Sequence, residues 1–183
     1  MTADSTYTTH HELVRECQRG SQSAFEQIYT LYGGAMYAVA QRIMGNREEA
    51  RDMMQEGFYR AYDRIGQFRF DSSFGAWLKR IIIRQCLDEQ RRKRINYVEL
   101  GNEHLEHVDN SSESADPSYT VELVRAAHAQ LSDGYRTILS LYIYEGYTHR
   151  EIGDILGISE QTSKSQYHRA KKQLKTLIQK SHG

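Results

Sequence analysis

The stretch from Thr148 to Leu174, THREIGDILGISEQTSKSQYHRAKKQL, constrains this chain more than any other, because it spells a helix, a tight turn and a second helix. Thr148 and Glu151 form a capping box, in which hydroxyl and carboxylate each satisfy a free backbone amide where a helix begins. Ile152, Ile155 and Leu156 make its apolar stripe, Gly153 leaves room for a neighbouring helix, and Gly157 ends it in a left-handed conformation. Ser159 caps the second helix, whose exposed positions carry Gln161, Thr162, Lys164, Ser165, His168, Arg169, Lys171 and Lys172. No acidic residue follows Glu160, whereas six Lys or Arg do. Such side chains suit phosphates and base edges in a major groove. A helix pair with a glycine turn also occurs in bundles that touch no DNA, and it is the missing acid on the second helix that favours DNA.

The chain has 183 residues, with 24 basic and 24 acidic side chains, so it is no simple polycationic coat protein. Its charges are segregated instead. Arg91-Arg92-Lys93-Arg94 and the last twenty residues are basic, while Glu99 to Glu122 holds seven acidic residues and no Lys or Arg. This arrangement suggests two nucleic-acid faces separated by an acidic spacer. Cys17 and Cys86 are far apart and form no CxxC pair, which indicates neither a disulfide framework nor a zinc site and fits a reducing cytoplasm. No apolar run approaches the roughly 20 residues needed to cross a bilayer, and Met1 to His11 is polar rather than a signal sequence. A soluble, cytoplasmic protein without metal or cofactor is expected.

Almost every patterned stretch reads as helix. Ser23 and Glu26 match a capping box for a helix through Phe25, Ile28, Tyr29 and Tyr32, which Gly33-Gly34 is expected to bend before it resumes toward Met44. Asn46 and Glu49 open the next, where Ala50, Met53, Met54, Gly57, Phe58, Ala61, Tyr62 and Ile65 recur at three- and four-residue steps. After the loop Gly66 to Ser72, a further helix takes Phe74, Trp77, Leu78, Ile81, Ile82 and Gln85 on one side and ends in the basic run at Arg94. From Ile95 to Ser118 the pattern fails and the only proline occurs, so a flexible acidic linker is expected. Val121, Val124, Ala127, His128 and Leu131, then Tyr135, Ile138, Leu139, Tyr142 and Ile143, supply a second helical core. The fold class is all-α, two small helical domains joined by that linker. The expected divisions are 1–22, a tail and short helix, 23–95, the first domain, 96–120, the linker, and 121–183, the helix-turn-helix domain.

Three stretches at matching order and spacing carry a resemblance: AFEQIYTLYGGAMYAVAQRIMGNREEARDMMQEGFYRAY, FRFDSSFGAWLKRIIIRQCLDEQRRKR and GYRTILSLYIYEGYTHREIGDILGISEQTSKSQYHRAKKQL. They resemble regions 2 and 4 of the extracytoplasmic-function sigma factors of bacterial RNA polymerase. The resemblance implies a specificity subunit without catalysis of its own, which binds core polymerase and directs promoter recognition, strand opening and initiation. It implies docking on a coiled coil of the largest polymerase subunit through Asp52, Gln55, Glu56 and Phe58. Helical spacing reads Met53, Met54 and Phe58 as core as well, whereas Asp52, Gln55 and Glu56 lie off the stripe. It implies that the downstream promoter element meets Phe68, Arg69, Phe70, Ser72, Ser73, Phe74, Lys79, Arg80 and Arg84, aromatic faces and cations being what single-stranded bases require. Arg84 stands where the family often has Asn. Trp77 is read as core. The upstream element is implied to meet Gln161, Thr162, Lys164, Ser165, His168, Arg169 and Lys172, with Ser163 and Tyr167 standing where many relatives have aliphatics. An anti-sigma partner is expected from the family alone.

Two signals are declined. His104-Leu105-Glu106-His107 is not HExxH and lies in the linker, and Cys86, among Ile82, Ile83 and Leu87, reads as inert core. The alternative function is a conventional helix-turn-helix regulator that binds inverted half-sites as a dimer without being a polymerase subunit. An enzyme would need a carboxylate or histidine cluster at ligand spacing, which the chain lacks.

Overall fold

In the computed structural model, backbone is described for residues 3–99 and 120–182, and side chains for 10–94 and 120–181. Among the described residues, eight α-helices run in the order α1 (Ala3–Gln18), α2 (Gln22–Met44), α3 (Arg47–Asp63), α4 (Phe74–Glu99), α5 (Val121–Ala129), α6 (Asp133–Leu139), α7 (His149–Leu156) and α8 (Glu160–His182). A 3-10 turn follows α3 at Ile65–Gln67, and a π turn follows α6 at Ser140–Tyr144. No strand occurs among the described residues. The chain divides into two compact units, 1–41 with 47–91 and 42–46 with 92–183. The acidic spacer and the His104–His107 stretch lie outside the described residues.

The first unit is built on apolar stripes at helical spacing. Ile28, Met36 and Val39 of α2, Ala50, Met54, Phe58 and Ala61 of α3, and Phe74, Leu78, Ile82 and Cys86 of α4 are all buried. Gly57 lets α3 approach α4 closely, since a Cβ there would lie 2.3 Å from Ile82 Cδ1. Burial pushes the Cys86 thiol up to about 12, so it stays protonated and inert.

Several expectations for this unit change. The cap of α2 is Ser21, whose Oγ accepts from Ala24 N at 3.3 Å. The Ser23/Glu26 pattern therefore lies within the first turns of a helix that Ser21 has already capped. Gly33-Gly34 does not bend α2, which runs unbroken to Met44. Tyr62 ends the α3 stripe exposed at 41%. The amino-terminal segment, expected as a tail and short helix, forms a helix of sixteen residues anchored by buried Val14 and Cys17. α4 passes the basic run and reaches Glu99, beyond the expected boundary at residue 95.

In the second unit, Leu131, Leu139 and Ala170 form a core against which Tyr135, Tyr167, Leu174 and Leu177 pack. Thr120 caps α5 by accepting from Leu123 N at 3.3 Å. Arg136 is buried, and its guanidinium donates to Leu131 O at 2.7 Å and Ala129 O at 3.3 Å and pairs with Asp133. It thereby satisfies the carbonyls left open where α5 ends. The π turn inserts one residue, with Glu145 N donating to Ser140 O at 3.1 Å. That shifts the register, so Tyr142, Ile143 and Tyr144 are 38%, 51% and 46% exposed, although the pattern placed the first two in the core. Val121, also expected inside, is exposed.

The helix-turn-helix follows the capping chemistry. Thr148 and Glu151 make both bonds of the capping box, and Gly157 ends α7 at φ 71°. Gly153 has a different role from the expected one: a Cβ there would lie 2.7 Å from Ile158 O, so the glycine makes room for the motif's own turn. A backbone carbonyl cannot swing aside as a side chain does. Gly153→Ala should cost about 1–3 kcal/mol by overpacking, read as a lower thermal midpoint with loss of duplex binding.

His128 supplies a second prediction. It is buried, lies 3.3 Å from Ser140 Oγ, and is pushed down to about 4 by desolvation and then by the Arg136 charge. A histidine depressed in the fold adds stability above its unfolded value near 6.5 and loses it as pH falls toward 4. Chemical denaturation should show up to about 3 kcal/mol lost across that window, and His128→Gln should flatten it.

Candidate nucleic-acid interface

α8 divides cleanly into two faces. Ser163, Ala170 and Ile178 are buried and Tyr167, Leu174 and Leu177 partly so, while Gln161, Thr162, Lys164, Ser165, His168 and Arg169 are exposed and Lys172 is half-buried. The structure thus brings every upstream candidate onto this one helix, with Gln161, Lys164, Ser165, His168 and Lys172 in line along it. Ser159 caps the helix by accepting from Thr162 N at 3.0 Å, and the Thr162 hydroxyl lies 2.8 Å from Ser159 Oγ. Thr162 is therefore engaged in the cap. Lys164 Nζ lies 2.6 Å from Glu160 Oε1, and that bond holds the Glu160 carboxyl below its usual range.

The underside of α8 contains groups that the sequence pattern did not single out. His149, the first residue of α7, hydrogen-bonds Ser163 and packs on Tyr142 and Tyr167. Lys171 Nζ sits 4.9 Å from the Tyr167 ring centre. Ser163 and Tyr167, departures from the aliphatics expected there, are thus matched by a polar and aromatic set beneath the helix.

In the first unit, the downstream candidates separate. Phe68 and Phe74 are 5% and 2% exposed and pack on each other and on Trp77. Burying such a ring is worth about 1.5–3 kcal/mol, and stacking one base about 1–3, so turning either ring outward gains nothing. These two are core, contrary to the stacking expectation. Phe70 is half-buried at φ 62°, a left-handed conformation uncommon for a bulky residue. Its ring meets Phe68 at 4.8 Å and His11 at 5.2 Å, with the Arg15 guanidinium 5.3 Å from its centre. Ser73 caps α4 by accepting from Ala76 N at 3.2 Å and is exposed, as are Arg69 and Ser72. Arg80 and Arg84 are exposed one turn apart, and Lys79 is half-buried.

α1 holds this loop in place, which sequence reasoning missed. Gln18 Nε2 donates to Ile65 O and Phe68 O, each at 2.9 Å. The signal available was the Leu13, Val14 and Cys17 spacing of a buried helix face. His10, His11, Tyr32, Ser73, Phe74 and Gly75 line a cavity of about 210 Å³ beside the loop. His10 Nδ1 lies 2.8 Å from the Tyr32 hydroxyl.

Of the four candidate polymerase contacts, Asp52, Gln55 and Glu56 are exposed, whereas Phe58 is 2% exposed and serves the core. Glu56 pairs with Arg60 at 3.1 Å. Gln55 lines an open groove of about 580 Å³ with Tyr29, Gly33, Gly34, Tyr37 and Met54. Gly33-Gly34 flattens the α2 wall of that groove. Among the described residues no cluster of His, Cys, Asp or Glu has the geometry of a metal site, and no helix is long and apolar enough to cross a membrane.

A helix-turn-helix with an exposed basic face and a separate unit with Arg69 on an exposed loop suit a DNA-directed protein, and comparisons with known proteins identify the family. Residues 28–95 match the family Sigma-70 region 2, and residues 122–174 match Sigma-70, region 4. The chain is 31% identical to the ECF RNA polymerase sigma factor SigW of Bacillus subtilis, over 90% of this chain and 94% of that protein. It is 28% identical to the RNA polymerase sigma-H factor of Pseudomonas aeruginosa, over 95% and 96%. Its fold is similar to that of the sigma factor RpoE of Bartonella quintana, solved with the anti-sigma factor NepR, at TM-score 0.58 and 24% identity over 85% of this chain and 96% of that one. CnrH, solved with the cytosolic domain of CnrY, gives 0.55 at 24% identity over 91% and 95%. This chain belongs to the extracytoplasmic-function group of sigma-70 factors. It is an RNA polymerase sigma factor, which joins core polymerase and directs it to promoter DNA. Sigma factors as a class are not enzymes.

The Glu160–Lys164 ion pair yields a test. Glu160→Gln removes an anion from the exposed side of α8 and releases Lys164. Duplex binding should tighten about two- to fivefold near 50 mM salt and less at 200 mM, because salt screens exposed charge. A filter-binding titration at both salts measures it.

Proposed function

We propose that residues 121–183 read the upstream promoter element as duplex through Gln161, Lys164, Ser165, His168 and Arg169, with Thr162 completing the helix cap and Lys172 flanking. The observation that carries this reading is the division of α8 into a seated face and a bare one without acid beyond Glu160. Arg169 and Lys164 carry the charged contact to guanine edges, and the others set register on phosphate.

Residues 23–95 bind core polymerase and the melted downstream strand. Asp52, Gln55 and Glu56 contact polymerase, supported by their exposure and by the groove beside Gln55. Arg69, Phe70, Ser72 and Ser73 meet the single strand, Arg80 and Arg84 hold its backbone with Lys79 beside them, and the loop cavity accepts an unstacked base. α1 braces the loop through Gln18. The protein works in the cytoplasm, has no catalysis of its own and is controlled by an anti-sigma factor, as the complex of RpoE with the anti-sigma factor NepR suggests.

Reconstitution with bacterial core polymerase on a promoter library should give specific run-off transcripts. Replacing both Gln55 and Glu56 with Ala should weaken core pull-down at least fivefold, with melting within about 0.5 kcal/mol of wild type as for exposed side chains. Dimeric binding to inverted half-sites without transcripts would favour a conventional regulator.

A further inference from the structure

His149 is outside the DNA-facing set, yet it joins three elements. Its Nδ1 lies 3.0 Å from Oγ of Ser163, a side chain with no exposed surface on the underside of α8. Its ring stacks on Tyr142 of the π turn at 4.4 Å and 16°, and meets Tyr167 edge-on at 5.4 Å. Tyr142 and Tyr167 close the set at 4.6 Å. A buried hydroxyl left without its partner is costly, so the imidazole and the seat of α8 depend on each other.

The charged groups that act on His149 come from α8, namely Lys164, Glu160 and His168, while Tyr142 and Tyr167 present aromatic rings to it. Desolvation and Lys164 hold the imidazole below its usual range, with Glu160 opposing and His168 adding to the effect. Lys164 and His168 also stand on the face assigned to DNA. Phosphates drawn to that face bring negative charge within the field that His149 already feels, and so favour its protonated form.

We propose that His149 is a positioning residue for α8, acting through Ser163, and that binding of the upstream duplex takes up a proton at this imidazole. The proposal rests on the reading of α8 as the upstream-element reader. The charged ring still donates from Nδ1 to Ser163 Oγ and lies over the Tyr142 face as a cation over a π system, so protonation leaves the seat intact. The signs are opposite for stability and affinity. Free protein, whose histidine is depressed, loses stability as pH falls below about 6.5. DNA-bound protein has the proton favoured, so affinity rises as pH falls from 8 to 6.

The test is equilibrium binding of holoenzyme to promoter duplex at pH 8 and pH 6, all in a His168→Gln background, which removes an exposed histidine of α8. With His149 present, affinity should rise about three- to tenfold more on acidification than with His149→Asn, one pKa unit corresponding to a factor of ten. Asn retains a donor near the Nδ1 position but cannot charge. It should keep more affinity at pH 8 than His149→Ala, which leaves Ser163 unpartnered. Parallel pH profiles for His and Asn, or equal affinities for Asn and Ala, would overturn the proposal. Where a variant melts early, the full-length chain provides a second measurement. Carbon-edited NMR of the His149 ring should show its titration midpoint moving up when duplex is added, and an unmoved midpoint overturns the proton uptake. Arg169→Ala binding specific duplex as well as wild type would instead overturn the reading of α8 itself.

Discussion

A helix that reads DNA has to be held firmly along one side while its other side stays exposed. In the second unit this requirement governs the surrounding elements. Ala170 and Ser163 allow close seating, Leu131, Leu139 and Tyr135 provide the floor, and Leu174 and Leu177 extend the contact along α8. Gly153 and Gly157 set the turn that aims the helix, one by yielding space to Ile158 O and the other by adopting positive φ. Any change that lifts this seat moves every candidate DNA contact together, because all of them project from the same rigid helix.

The proposed role of the first unit makes a different demand, since single-stranded DNA needs a preformed surface rather than a groove-sized helix. Its loop is held by buried Phe68 and by two backbone acceptors tied to Gln18. The aromatic residues of FRFDSSF are therefore divided by role. Phe68 and Phe74 hold the loop against α4, and only Phe70, with its left-handed backbone, reaches toward the side lined by His11 and Arg15. Support for a nucleic-acid site is often more buried, and more aromatic, than the contacts themselves.

Charge placement serves the same division. A chain of zero formal net charge has no global attraction for DNA, so affinity has to come from local faces. Arg80 and Arg84 repeat at a one-turn spacing on α4, and the bare face of α8 gathers Lys164, His168 and Arg169. Like charges one turn apart, as at Arg80 and Arg84, mildly oppose the helix unless an anion lies between them.

The helical class, the capping box at Thr148, the left-handed Gly157 and the exposed face of α8 could all be read from residue order, because each depends on neighbours within about four positions. The same local patterns identified the family. Local pattern could not tell that Ser23/Glu26 lies within a helix already begun at Ser21, since a box is recognised by spacing and not by where the chain enters the helix. It could not assign Phe68, Phe74 and Phe58 to the core rather than to a partner, because an aromatic ring has the same spacing in either role. Nor could it place Tyr142 and Ile143 outside, because one inserted residue in a π turn rotates everything beyond it. The meeting of His149 with Ser163 and of Gln18 with the loop is likewise tertiary: these partners are fourteen and about fifty residues apart, and only packing brings them within hydrogen-bonding distance.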